Sequence, residues 1–144
     1  NMSTTTYSFE DVICTLNHSS VGSKSTKGEG LGSITIAMAN DRTVHDTASD
    51  GSVMITKKIS KNGTIVIDMQ QTSQLHKWLL KAYNYLDNAA TSEWALMTVT
   101  IVSKELEENT TCTNVAFQKI ADKPYQAEGQ HVSWTLMAAK IVQE

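Results

Sequence analysis

Apolar residues alternate with polar ones along most of the chain, and that period of two restricts the fold more than any motif does. Side chains two apart share one face of a strand. In TYSFEDVICTL (6–16), Val12, Cys14 and Leu16 fall on one face, and Phe9, Asp11, Ile13 and Thr15 on the other. GSITIAMAN (32–40) places Ile34, Ile36 and Met38 together. SVMITKKIS (52–60) and GTIVIDMQQ (63–71) alternate and flank Asn62-Gly63, a dipeptide suited to the positive φ angles of a tight hairpin turn. SEWALMTVTIVSKE (92–105), TTCTNVAFQKI (110–120) and QHVSWTLMAAKIVQ (130–143) complete the set.

One segment breaks the alternation. Leu75, Trp78, Leu79, Ala82, Tyr83 and Leu86 recur at helical spacing, with Thr72 or Ser73 able to cap the first turn. His76 sits off that stripe and is expected to be solvated. Asp87 opposes the macrodipole, so the last turn should fray. The expected fold is mainly β: an antiparallel sandwich or barrel of about seven strands with one flanking helix over about 73–88. Residues 1–144 suit one domain. Asn1 ahead of Met2 reads as a remnant of expression, and residues 1–5 are expected to be disordered.

Two polar stretches remain. NHSSVGSKSTKGEG (17–30) has the Gly, Lys and Ser of a phosphate-binding loop but not its spacing. Ser23 separates Gly22 from Lys24, and a strand follows where that loop needs a helix. DRTVHDTASDGS (41–52) reads as a polar connector, with Asp50-Gly51 as a turn and not a calcium loop. No secretion signal or membrane-length apolar run stands out. The formal charge of −3 gives no reason to expect nucleic-acid binding.

Catalytic groupings are not found. His18, His45, His76 and His131 form no ligand pair of metal-site spacing. Cys14 and Cys112 read as buried free thiols. There is no G-x-S-x-G elbow, and neighbouring acids such as Glu10 and Asp11 would point to opposite faces of a strand. Trp78, Leu79, Tyr83, Leu86, Phe117 and Trp134 fall at core-compatible phases. No enzyme activity and no cofactor or metal is expected. Several strands, among them ITIAMA, IVID and ALMTVTIV, are apolar or neutral on both faces, which fits burial by helices or by further copies of the chain.

YSFEDV (7–12), DGSVM (50–54), NGTIVIDMQQTSQLHKWLLKAYN (62–84) and VAFQKIADKPYQAEGQHVSWTLMAAKI (115–141) together resemble bacteriophage virion proteins of the tail-tube class. The last block carries Phe117, Lys119, Pro124, Tyr125, Gly129, Trp134 and Ala138 to Ile141 in the family's order; the 17–32 loop departs from it. The resemblance implies a virion subunit that forms six-membered rings, stacked into a hollow tube. DNA would only pass through the lumen. Partners would be copies of itself and tape-measure, sheath and tail-completion proteins, with host cytoplasm as the place of assembly. Six copies at −3 give roughly −18 per ring, a charge that would keep DNA from sticking.

On this reading, residues 17–33 and 41–52 are flexible assembly loops, with Lys24, Lys27, Glu29, Asp41, Arg42, His45, Asp46 and Asp50 as contact candidates. Lys24 and Lys27 would pair with a neighbour's carboxylates. Two alternatives stay open: another head–tail connector or secretion-apparatus ring protein, and a monomeric ligand-binding barrel lined by Trp94 and Trp134.

Overall fold

A computed structural model describes residues 4–8, 12–27, 32–39, 43–57, 61–70, 73–103, 107–119 and 131–143. Alternation becomes strand almost everywhere. The strands are β1 (Thr4–Ser8), β2 (Val12–His18), β3 (Gly22–Lys27), β4 (Ser33–Met38), β5 (Thr43–Thr47), β6 (Val53–Lys57), β7 (Gly63–Gln70), β8 (Met97–Ser103), β9 (Glu108–Lys119) and β10 (His131–Gln143). Helix α1 (Gln74–Asn88) and the short α2 (Thr91–Trp94) lie between β7 and β8. Eight strands form one sheet in the order β1-β4-β7-β10-β9-β8-β2-β3, and β5 and β6 form a separate two-stranded ribbon. Every pairing is antiparallel.

Chain connectivity requires this sheet to curl. β1 stands at one end of the order and β2 next to the other, six strand positions away. Laid flat, those strands would be about 29 Å apart at the usual inter-strand spacing. Yet Ser8 and Val12 are joined by four Cα–Cα steps, which reach about 15 Å at most. The two ends of the sheet are therefore drawn toward each other, although no hydrogen-bonded pairing joins them among the described residues.

Curling creates an inside. Val12, Cys14 and Leu16 of β2, Ile34 and Ile36 of β4, Ile65, Ile67 and Met69 of β7, and Val99 and Ile101 of β8 are all buried. Their neighbours Thr15, Thr35, Val66, Thr100 and Val102 are half-buried on the outer face. α1 closes over the inside with Leu75, Leu79, Ala82 and Leu86. Ser73 is its N-cap: the hydroxyl accepts the His76 amide at 3.2 Å. The described helix runs through Asn88, where the Ala89 amide donates to the Leu86 carbonyl.

Several expectations change. Asn62-Gly63 is not a hairpin turn. β6 pairs with β5, while β7 pairs with β4 and β10. Gly63 opens β7 beside the crossing chain, and a Cβ there would collide with the Ala37 carbonyl and stand 2.8 Å from Ile141 Cδ1. The glycine is needed for close approach, not for positive φ. The hairpin turn is at Asp50-Gly51, where Gly51 has φ of 90°. The 6–16 stretch divides into two strands at distant ladder positions, and 91–94 is helical, with β8 starting only at Met97. The 17–33 and 41–52 stretches, expected to be loops, contain β3 and β5.

Candidate assembly surfaces

Among the described residues, the ribbon is the element with least support from the rest. Thr43↔Lys57 through Thr47↔Val53 pair within it. Its turn is closed by Ala48 and Ser52: the Ala48 amide donates to the Ser52 carbonyl at 2.8 Å, and the Gly51 amide to the Ala48 carbonyl at 3.0 Å. Asp50 Oδ1 accepts the Ser52 amide at 2.9 Å and the Ser52 hydroxyl at 2.6 Å. These two bonds, the hydroxyl's first, hold the Asp50 carboxyl below its ordinary value, so the turn carries a negative charge.

Along β6, Val53 is 59%, Met54 62% and Ile55 71% exposed. Successive strand residues point to opposite faces, so both faces of the ribbon are wet and apolar. An isolated two-stranded ribbon is marginal in water, and a large exposed apolar surface marks an interaction site.

Of the residues singled out from sequence, His45 lies exposed in β5 and Asp50 exposed at its turn. Asp46 and Lys27 fall within β5 and β3. Lys24 is half-buried on β3, opposite Leu16 in the ladder. Glu29, Asp41 and Arg42 lie outside the described residues. The structure thus gathers His45, Asp46 and Asp50 on one ribbon, and puts Lys24 and Lys27 on an edge strand of the main sheet. Sequence reasoning missed Val53, Met54 and Ile55 as surface residues. The available signal was Asp50-Gly51, a strong hairpin dipeptide between the alternating runs TVHDT and VMITK.

Leu79, Leu86, Phe117 and Trp134 are buried, while Trp78 and Tyr83 are half-buried against the core. Tyr83, Phe117 and Trp134 contact one another with ring centroids 5.4–6.2 Å apart, and Trp94 packs beside Tyr83 and Phe117. His76, expected at the surface, is 5% exposed, and the Trp134 indole N–H donates to its Nδ1 at 3.0 Å. His76 and Trp78 flank the apolar stripe of α1 about equally, roughly 80° to either side of its centre. The helix is rolled so that the histidine flank faces in, where an indole N–H needs an acceptor.

A second polar group joins β2 to α2. His18 is buried; its Nδ1 accepts the Ser20 amide at 3.0 Å, and its Nε2–H donates to the Glu93 carbonyl at 2.8 Å. An amide can only donate and a carbonyl only accept, which fixes the neutral tautomer. The Ser20 hydroxyl donates to the Glu93 carboxylate. Serine, histidine and glutamate are therefore close, but both ring nitrogens are engaged by the main chain, so His18 holds two elements together and has no free nitrogen to act as a base.

Cys14 and Cys112 are buried free thiols on the strands either side of β8. Burial raises both to about 12, and for Cys14 the nearby Cys112 adds to the rise. Neither is a nucleophile at neutral pH. Among the described residues no group of three or more His, Cys, Asp or Glu could hold a metal ion, and no helix is long and apolar enough to cross a membrane.

The model of a family described as Bacteriophage PhiTE tail tube protein matches residues 2–144. The chain belongs to that family. It is thus a tail-tube-related structural protein of the phage type. No curated protein matches it. Among solved structures, it resembles the sheath/tube terminator of the PVC extracellular contractile injection system in its extended state. The TM-score is 0.59 at 11% identity, covering 93% of this chain and 93% of that one. The PVC sheath-tube complex in the extended state gives 0.58 at 11%, covering 93% and 88%. The tube-terminating cap of the anti-feeding prophage gives 0.59 at 11%, covering 93% and 87%. At that identity the likeness establishes the fold.

Proposed function

We propose that the protein is the tube subunit of a phage tail, that it closes into rings of six, and that the rings stack into a hollow tube through which DNA passes. Its role is structural and not enzymatic, and its place is the virion tail after assembly in the host cytoplasm. Sheath, tape-measure and tail-completion proteins would be its partners. The observation that carries the reading is the ribbon: a self-paired β5–β6 hairpin whose Val53, Met54 and Ile55 are exposed among the described residues, in a chain of a tail tube family.

Magnitudes favour assembly in steps. Burying the exposed parts of Val53, Met54 and Ile55 would contribute about 1–2 kcal/mol each. Joining two bodies costs about 4–15 kcal/mol in lost freedom. One ribbon reaches only the lower end of that cost, whereas a closed ring presents several ribbons at once and exceeds it. Single subunits should stack poorly and rings should stack readily. A head-to-tail lateral contact closes the ring, and the axial contact extends it.

Sedimentation velocity and electron microscopy of the purified chain over a range of concentrations test the proposal. The expected result is six-fold rings with a central hole, lengthening into tubes. A single slow species at every concentration would overturn it. Rings that never stack would favour a terminator or another connector ring of the same architecture.

A further inference from the structure

Asn62-Gly63 is the one Asn-Gly pair in the sequence, and it opens a strand instead of closing a hairpin turn. Its chemistry is specific. Glycine has no side chain to shield its amide nitrogen, so that nitrogen can attack the Cγ of a preceding asparagine. The N–Cγ bond forms as the amide proton passes to a solvent base, the Cγ–Nδ2 bond breaks, and ammonia leaves with a proton from water. The five-membered succinimide then takes up one water at either carbonyl and opens to aspartate or isoaspartate. Packing explains why the vulnerable pair stands here. A Cβ at position 63 would collide with the Ala37 carbonyl and lie 2.8 Å from Ile141 Cδ1, so glycine is required. Packing also restrains the pair. The Asn62 carbonyl accepts the Ala39 amide at 3.0 Å, and the Lys61 carbonyl accepts the Ile141 amide at 2.8 Å. Gly63 itself is laddered to Met38 of β4 and Ala138 of β10. Ring closure turns the rigid 62–63 peptide plane about the Cα–C bond of Asn62, which pulls the Asn62 carbonyl from Ala39 and disturbs Gly63 in both ladders. Water is not what is withheld. Asn62 is half-buried at a shallow recess of ≈ 520 Å³, open to solvent, whose other walls include Lys61, Asn114, Ala116 and Met137. The recess forms where Asn114 of β9 has φ of 52° and the β8–β9 register slips between Met97 and Val99.

We infer that Asn62 is the chain's deamidation site, closed while β7 stays docked between β4 and β10 and reactive whenever its first residues come loose. It is a modification site of the chain itself and does not depend on assembly into a tube. Asp50-Gly51 can form the same ring, but the Asp50 carboxylate is ionised and bonded to Ser52, and an anion is a poor target for an amide nitrogen. Isoaspartate at 62 has a lasting consequence. It places one extra atom in the main chain beside a glycine with no spare room and adds a negative charge, so β7 cannot regain its register. A chain that opens there is withdrawn from the folded population.

Peptide mapping with pepsin, at an acid pH that halts further deamidation, tests this on the full chain. Held in urea at mildly alkaline pH, the chain is expected to gain isoaspartate at Asn62 ahead of every other asparagine, with ammonia released in step. The folded chain should react at least about tenfold more slowly, because only open molecules cyclise. Ala39→Pro, at an exposed position just past β4, removes the amide that holds the Asn62 carbonyl; it should raise the folded-state rate several-fold with the far-UV spectrum unchanged. Asn62→Asp, which has the charge without the extra atom, should refold from urea, while chains carrying isoaspartate at 62 should not. Equal rates at Asn62 in the folded and the unfolded chain would overturn the protection. Another asparagine reacting first in urea would overturn the assignment.

Discussion

Two strands of similar composition meet opposite fates here. In β7, Ile65, Ile67 and Met69 are sealed against α1 and the sheet interior; in β6, Val53, Met54 and Ile55 are largely in water. Both are antiparallel and both are rich in β-branched residues. The difference lies in partners. β7 has β4 on one side and β10 on the other, with a helix across one face, while among the described residues β6 has β5 alone. The first arrangement stabilises the subunit. The second contributes little to it, and its apolar surface becomes useful only when another surface covers it.

If that contrast is right, substitutions within the sheet should change stability and substitutions in the ribbon should change assembly. Trp134→Ala should have the largest effect, because it empties a fully buried site and removes the indole donor to His76: about 3–5 kcal/mol in a urea melt. Gly63→Val forces a side chain against Ala37 and Ile141, which should cost about 1–3 kcal/mol and possess no counterpart at Gly51, whose Cβ space is open. Gly51→Val would strain only the ribbon turn.

The thiols supply a pH test of the interior. Their folded values, about 12, lie above the unbound reference of 9.0, so the native state keeps protons that the unfolded chain releases. That stability is complete below pH 9 and is lost as pH rises toward 12. Urea midpoints at pH 8 and pH 10 should therefore differ, and less so in a Cys14→Ala, Cys112→Ala double variant. The smallest effect on the sheet side is expected from Ser73→Ala, about 1 kcal/mol for the lost cap of α1.

Sequence periodicity was enough for the mainly β antiparallel class, the helix and most of the strands, though not for β3 and β5, because alternation and the 3.6-residue repeat are local properties. The inward residues of β2, β4 and β7 were legible for the same reason, and the cap was narrowed to Thr72 or Ser73, of which Ser73 serves. Pairing was not. Asn62-Gly63 has the residues of a tight turn, but a glycine needed for close approach looks the same in sequence as one needed for positive φ. Nor could a period of two tell whether the faces of 53–57 would be covered. The roll of α1 was hidden too, since His76 and Trp78 flank the stripe about equally and the Trp134 indole that meets His76 lies 58 residues away. The recess at Asn114 depends on a one-residue register slip between strands, which no single segment encodes.

The contrast between the two strands is tested most directly by sedimentation velocity on a Val53→Ser, Met54→Ser, Ile55→Ser variant at concentrations where the unmodified chain forms tubes. The account predicts that this variant stops at single rings, with the long-tube boundary gone. Tubes sedimenting as they do for the unmodified chain would contradict it.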